Sequence, residues 1–318
     1  MITVMGEALI RLSPAPDGTT LHAEPGGSAL NIAVAAARLG HPAALMARVS
    51  RDSYGEMLRE YAKSNGVDLS GAPEADEPTA IEIGPARAMP GARPRLYGSY
   101  ASAGHWGPED LTWLPPETTV LHVGSLVWSD APSAAVAARA ASRLRKRGGL
   151  TWLDLQIYRD VVKTPGQCRI LLERWVRSVD VVVASVNDMG WLYPGRSPHA
   201  IAEQWLGLGV AQVFVPSAGG SMVFHGSGAV LYWSPPSPLS IVDVTGAIDT
   251  FTASLLGSMH HCLAQGWDVR NPPASSLARA LNRAAVAAAM TCERLGADSP
   301  TAAELRDRLA IIHAPGPG

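Results

Sequence analysis

Two acidic residues, Asp243 and Asp249, bracket a short Thr245-Gly246-Ala247-Ile248 stretch. Ala253, Leu255, Leu256, Met259 and Leu263 follow at helical spacing, so this stretch reads as a turn that opens a helix. The first N–H groups of a helix have no intrahelical partner and point outward at the positive end of the macrodipole. Such an end binds anions, phosphate above all. A carboxylate beside such a phosphate cradle is electrostatically unfavourable unless it has a task, such as taking the proton of a hydroxyl that attacks the phosphate. Spacing alone admits two readings of Asp249, that base or a plain helix cap.

A second segment, Gly26-Gly27-Ser28-Ala29-Leu30-Asn31, opens an Ala-rich helix that stops at Gly40. Paired glycines let a backbone approach a ligand closely. Asn31 sits one turn in and offers a donor and an acceptor to a sugar hydroxyl. In order and separation, the two segments resemble the two signatures of the ribokinase-like (PfkB) carbohydrate kinase family. The resemblance runs from Gly6-Glu7 to Arg294-Leu295-Gly296-Ala297. The opening Gly6-Glu7-Ala8-Leu9-Ile10 is similar to that of its fructokinase-like and 2-keto-3-deoxygluconate-kinase-like members.

The resemblance implies ATP-dependent phosphorylation of a hydroxyl on a sugar or sugar acid. It makes Asp249 the base, with the backbone N–H groups of Gly246, Ala247, Ile248 and Asp249 as the hole for charge that develops on the transferring phosphate. Glu7, Arg11, Gly26, Gly27, Asn31 and Arg159 fall on the sugar side. Ser185, Ala218, Gly220 and Asn282 fall on the nucleotide side, where Ala285 and Ala289 leave room for an apolar adenine pocket. The family's magnesium-linked Asn-x-x-Glu reads Ser185-Val186-Asn187-Asp188 here. Asp188 would orient metal-bound water, since Mg2+ usually keeps several waters, or cap the helix that begins there. Asp243 and Thr245 match positions that help hold a monovalent cation, closed by the loop near Gly296; a turn or cap role is the other reading of Asp243. The implied cofactors are ATP and Mg2+, with K+ as an optional third.

Several motifs are degenerate. Ile248 replaces the second Gly of a Gly-Ala-Gly-Asp turn; its N–H survives, but its branched side chain crowds the phosphate or narrows the dihedrals. Arg11 stands where the family has a sugar-binding Asp; it cannot accept from hydroxyls and favours a carboxylate or phosphate on the ligand, or faces solvent. Asp-x-Asn-x-Arg becomes Asp154-Leu155-Gln156-Ile157-Tyr158-Arg159, with Asn replaced and Arg displaced. Pro216-Ser217-Ala218 replaces Thr-x-Gly, and Arg48-Val49-Ser50-Arg51-Asp52 replaces Gly-x-x-Gly-x-Asp. These changes leave a second class open, a ligand-binding protein on a kinase fold with catalysis weakened or lost. A dinucleotide oxidoreductase is disfavoured, because no Gly-x-Gly-x-x-Gly follows the first strand.

The elements that must position these residues alternate. Strand-like runs at 2–5, 44–49, 120–123, 150–153, 179–184 and 212–215 are separated by helical stretches at 29–39, 54–65, 133–147, 168–177, 198–206, 250–265 and 275–294. This pattern predicts an α/β fold, a doubly wound and mostly parallel sheet with helices on both faces. Ligands bind beyond the carboxyl ends of such strands. Segments 10–23 and 79–105 interrupt the alternation. By resemblance they form a small β-sheet lid over the sugar and a homodimer interface; a solvated hairpin without a role is the alternative. The expectation is one ribokinase-like domain over residues 1–318, with a disordered Pro-Gly tail.

Composition agrees. The 318 residues are 47% hydrophobic and 17% charged, with a net charge of −2, which gives ample core and no polyanion-binding excess. No run has the length of a membrane span, and the N-terminus enters a strand without a basic leader. Cys168, Cys262 and Cys292 form no metal pattern and suit a reducing cytoplasm. The expected partner is a small sugar or sugar acid, not nucleic acid or membrane.

Overall fold

A computed structural model of the chain describes residues 1–15, 19–84, 95–98, 102, 106–124, 126–159, 162, 164–217, 220–226, 228, 230–233 and 240–313. The strands are β1 (Ile2–Met5), β2 (Leu9–Pro14), β3 (Leu21–Gly26), β4 (Ala43–Met46), β5 (Val49–Ser50), β6 (Glu74–Ala75), β7 (Ile81–Ile83), β8 (Arg95–Tyr97), β9 (Val120–Gly124), β10 (Leu150–Asp154), β11 (Val181–Val183), β12 (Gln212–Ser217), β13 (Gly220–His225) and β14 (Val230–Trp233). The helices are α1 (Ser28–Arg38), α2 (Ser53–Ser64), α3 (Leu126–Ser129), α4 (Ala131–Lys146), α5 (Pro165–Val176), α6 (Val186–Leu192), α7 (Pro198–Gly207), α8 (Ala247–Ala264), α9 (Ala274–Cys292) and α10 (Ala302–His313).

The main sheet has the order β14-β13-β12-β11-β10-β9-β1-β4. It is parallel from β4 to β12 and antiparallel only at the β12-β13-β14 edge. Alternate side chains feed two cores. Val4, Val120 and Trp152 pack with α1, α8 and α9, whereas Met5, Leu121 and Leu153 pack with α4, α5 and α7. Burial on both faces is what makes these strands read as short continuous apolar runs. Met5 and Leu153 both stand in register with Val123, so the loops after β1 and β10 emerge at one edge. The N-termini of α1 and α8 meet there. The two helices also pack closely along their length, and Gly257 makes room for the His41 ring: a Cβ there would lie 2.2 Å from Nε2.

The predicted mostly parallel sheet is the one observed, and both interrupting segments supply strands of a separate sheet, β3-β2-β7-β8. Residues 85–94, 99–101 and 103–105 of the second segment, and the tail 314–318, lie outside the described residues. One expected strand, 44–49, divides. The chain leaves the main sheet after Met46, and Val49 pairs instead with Glu74. Arg48 at the break is drawn to Glu77 and Asp110. The β13-β14 hairpin and α10 were not predicted. Among the described residues no helix is long and apolar enough to cross a membrane.

His122 is fully buried on β9, and neither ring nitrogen has a hydrogen-bond partner among the described residues. Burial holds it neutral, with its pKa pushed down from 6.5 to about 3. The unfolded chain therefore takes up a proton near pH 6.5 that the native fold refuses, and stability contributed above that pH is lost as pH falls. His122→Leu is expected to lessen the acid-induced loss of stability by about 1.4 kcal/mol per pH unit below 6.5. Urea unfolding of both proteins between pH 7 and about pH 4 checks this.

Candidate active site

The nest at the start of α8 depends on Gly246, which caps the helix at φ 74°. A Cβ there would stand 2.6 Å from that of Ala297, so the left-handed turn and the close approach both require glycine. Asp243 staples the turn: Oδ1 accepts from the Thr245 N–H at 3.0 Å and Oδ2 from the Gly296 N–H at 2.9 Å. Burial opposes its ionisation, but these two donors outweigh it and hold its carboxyl below the usual range. The Ala247 N–H closes the turn onto the Val244 carbonyl at 3.2 Å. Among the described residues nothing accepts from the N–H groups of Gly246, Ile248 or Asp249. Of the four N–H groups expected to face a phosphate, the Ala247 donor is thus engaged inside the turn.

Asp249, in the first turn of α8, faces inward and is 8% exposed. Its Oδ1 accepts from the Ser28 hydroxyl at 2.7 Å and its Oδ2 from Asn31 Nδ2 at 2.8 Å, both on α1. Glu7 Oε1 accepts the Ser28 N–H at 3.0 Å and so caps α1. Gly27 lets α1 start there: φ is 98°, and a Cβ would lie 2.6 Å from the Glu7 carbonyl oxygen. Burial raises the Asp249 pKa above the ordinary 3.8, opposed by the Ser28 and Asn31 hydrogen bonds and then by the Arg11 guanidinium. A buried carboxylate of raised basicity, oriented by two fixed donors, is suited to accept a proton.

Asp154, at the end of β10, is 3% exposed and its Oδ2 has no hydrogen-bond partner among the described residues. Burial first, then the charges of Asp249 and Asp188, push its pKa well above the carboxylate range. Gln156 has φ 27°, and no other non-glycine residue described has a positive φ. Backbone strain of this kind persists where surrounding structure enforces it, commonly at functional sites. Asp188 joins Ser185 in a reciprocal cap of α6: the Ser185 hydroxyl accepts the Asp188 N–H at 3.0 Å and donates to Asp188 Oδ2 at 2.7 Å.

Beside the nest lies an apolar cavity of about 140 Å³, walled by Trp152, Phe214, Pro216, Gly220, Phe251 and Ala288. Ile248 lines its rim and is 55% exposed, so its side chain turns out of the nest rather than into it.

A sequence model of the pfkB family carbohydrate kinases matches residues 1–304. The chain belongs to the pfkB carbohydrate kinase family. It is 29% identical over 271 residues to a fructokinase of Rhizobium leguminosarum bv. trifolii, covering 81% of this chain and 79% of that protein. It is 28% identical over 260 residues to a 2-dehydro-3-deoxygluconokinase of Thermoproteus tenax, covering 78% of each. A fructokinase of Xylella fastidiosa, solved with bound ATP, shares the fold at a TM-score of 0.87 and 21% identity, over 98% of both chains.

Of the residues expected on the sugar side of this pfkB kinase, Asn31 bonds Asp249 directly, Glu7 and Gly27 meet at the start of α1, and Gly26 lies against Arg11. Ser28 joins them through its hydroxyl, although the sequence assigned it no role beyond its place in a quoted motif. Arg11 does not face open solvent. Its Nε and Nη2 each lie 2.8 Å from Glu82 Oε1 on the neighbouring strand. Arg159 is elsewhere: exposed, bonded to the Asn187 carbonyl at 3.1 Å and stacked near Trp191. The displacement of the motif by one residue turns Tyr158 inward in its place. Arg159→Ala is therefore expected to change kcat/KM less than about threefold, which steady-state kinetics will show. Asn282 is half-buried on α9 but does not line the cavity, where that helix contributes Ala288. Ala218 lies outside the described residues.

Proposed function

We propose that this pfkB kinase transfers the γ-phosphoryl group of ATP to a hydroxyl of a small sugar, at the junction of α1 and α8. The observation that carries this reading is a buried carboxylate, Asp249, in the first turn of a helix whose N–H groups at Gly246, Ile248 and Asp249 have no acceptor among the described residues. The hydroxyl bonds to Asp249, each of whose oxygens keeps a second acceptor direction beside its bond to Ser28 or Asn31. As the O–P bond forms and the bridging P–O bond to ADP breaks, the hydroxyl proton passes to Asp249. The nest receives the charge on the phosphoryl oxygens. The cavity walled by Pro216, Phe251 and Ala288 takes the adenine.

Asp154 and Asp188 offer hard oxygen donors, and the unpartnered Oδ2 of Asp154 fits a hydrated Mg2+. Bound there, the ion would neutralise charge along the phosphates. A K+ ion next to Asp243 and Thr245 would sit where the Asp243 carboxylate already joins the turn to Gly296. The lid strands expose Leu21 and Tyr97, which supports pairing of two copies through the lid.

An ADP-release screen with MgATP over hexoses, pentoses, nucleosides and sugar acids tests this reading. Turnover of at least one class is expected. Sugar binding in thermal shift without turnover of any class would instead favour a catalytically silent member of the fold.

A further inference from the structure

Arg11 on β2 stands in register with Glu82 on β7. Besides the two Arg11 contacts to Oε1, the Tyr158 hydroxyl donates to Glu82 Oε2 at 3.0 Å. Glu82 is 2% exposed, so solvent screens neither interaction strongly. Tyr158 is held by packing with Leu9, Ala80, Leu96 and Leu126. Arg11 lies against the glycines that open α1: a Cβ on Gly26 would stand 3.3 Å from its own Cβ, and the first turn of α1 holds Asp249 through Ser28 and Asn31.

A guanidinium fork is the usual protein device for recognising a carboxylate. Here a carboxylate of the protein already occupies that fork. The buried acids at the start of α1 and α8, Glu7 and Asp249, are carboxylates as well. An incoming sugar acid would have to displace Glu82 and leave it buried without its counter-charge, or add one more negative charge to a low-dielectric site. A neutral sugar meets neither obstacle. Its hydroxyls accept from the remaining Arg11 N–H groups and donate to the carboxylates.

We infer that this sugar site takes a neutral sugar and rejects a sugar acid, and that Glu82 sets the choice by occupying the Arg11 fork. The inference rests on the kinase reading above. Glu82 acts through Arg11 as a positioning residue, so its signature is a change in substrate ratio rather than in overall rate.

The test compares kcat/KM for a panel of neutral hexoses and pentoses with that for the matching aldonic and 2-keto-3-deoxy acids, all with MgATP. The wild-type protein is expected to favour its best neutral sugar over the best acid by about 100-fold, the factor for one like charge some 6 Å away at an effective dielectric near 20. Glu82→Gln keeps the shape and frees the fork, and it should narrow the ratio at least tenfold. Adding Arg11→Met to that variant should remove the narrowing. Equal use of acids by the wild type, or an unchanged ratio in Glu82→Gln, overturns the inference. If Glu82→Gln does not fold, the wild-type ratio alone decides. If Asp249→Asn turns over the panel as fast as wild type, the kinase reading is what has failed. Calorimetric binding of the same sugars and acids then still measures the preference, with tighter acid binding counting against it.

Discussion

Asp249→Asn should lower kcat by about 10³-fold while the protein stays folded. Asparagine matches the size of aspartate and satisfies the same neighbours: its oxygen accepts from Asn31 Nδ2 and its amide donates to the Ser28 hydroxyl, the two groups that now hold the carboxylate. The substitution also removes a charge that burial penalises, so the melting temperature should hold or rise. KM for the sugar should move little, because an amide oxygen still accepts from a hydroxyl. A helix cap would show the opposite pattern, lost stability with activity retained. In the wild type, kcat/KM should decline on acidification through a pKa above the ordinary 3.8, the direction in which burial moves Asp249. That acid limb reflects loss of the proton acceptor.

Gly246→Ala has the second largest expected effect. The residue holds φ 74°, and an added Cβ would lie 2.6 Å from the Ala297 Cβ and 2.7 Å from its Cα. A left-handed non-glycine residue costs about 1–2 kcal/mol before any clash. The turn must shift away from the 296 loop to relieve the contact, and it carries the unspent N–H groups with it. Displacement of a binding cradle by about 1 Å costs on the order of 100-fold in rate. Steady-state kinetics should therefore show a fall of that size in kcat/KM for ATP, with KM for the sugar less affected. A variant that binds and turns over ATP normally would mean that the nest does not hold the phosphate.

Much of this site is legible in the sequence because its key features are local. The apolar periodicity after Asp249 and the glycines before Asn31 define two helix starts, and a parallel sheet brings both to one edge. Ile248 was harder to place. Its branched side chain suggested a crowded phosphate site, yet helical geometry turns it to the rim of the cavity, and only its N–H remains in the nest. The Arg11-Glu82-Tyr158 network was not legible. It depends on the pairing of strands in the lid and on contacts across 71 and 76 residues of chain. A motif shifted by one residue likewise hid which of Tyr158 and Arg159 turns inward. Asp154 and Gln156 acquire their character from burial and from an unusual φ, which residue type alone does not encode. The β13-β14 hairpin escaped notice because Gly219-Gly220 reads as a loop, although Met222 and Phe224 alternate as in a strand.

The most direct measurement is a ³¹P NMR time course of the 318-residue protein with MgATP and the neutral sugar that releases ADP fastest, run beside Asp249→Asn. The wild type should convert the γ-phosphate resonance of ATP into a sugar phosphate ester in step with ADP, while the variant leaves the ATP spectrum unchanged over the same period. Equal ester formation by the two proteins, or release of inorganic phosphate without any ester, would contradict the assignment of Asp249 as the base.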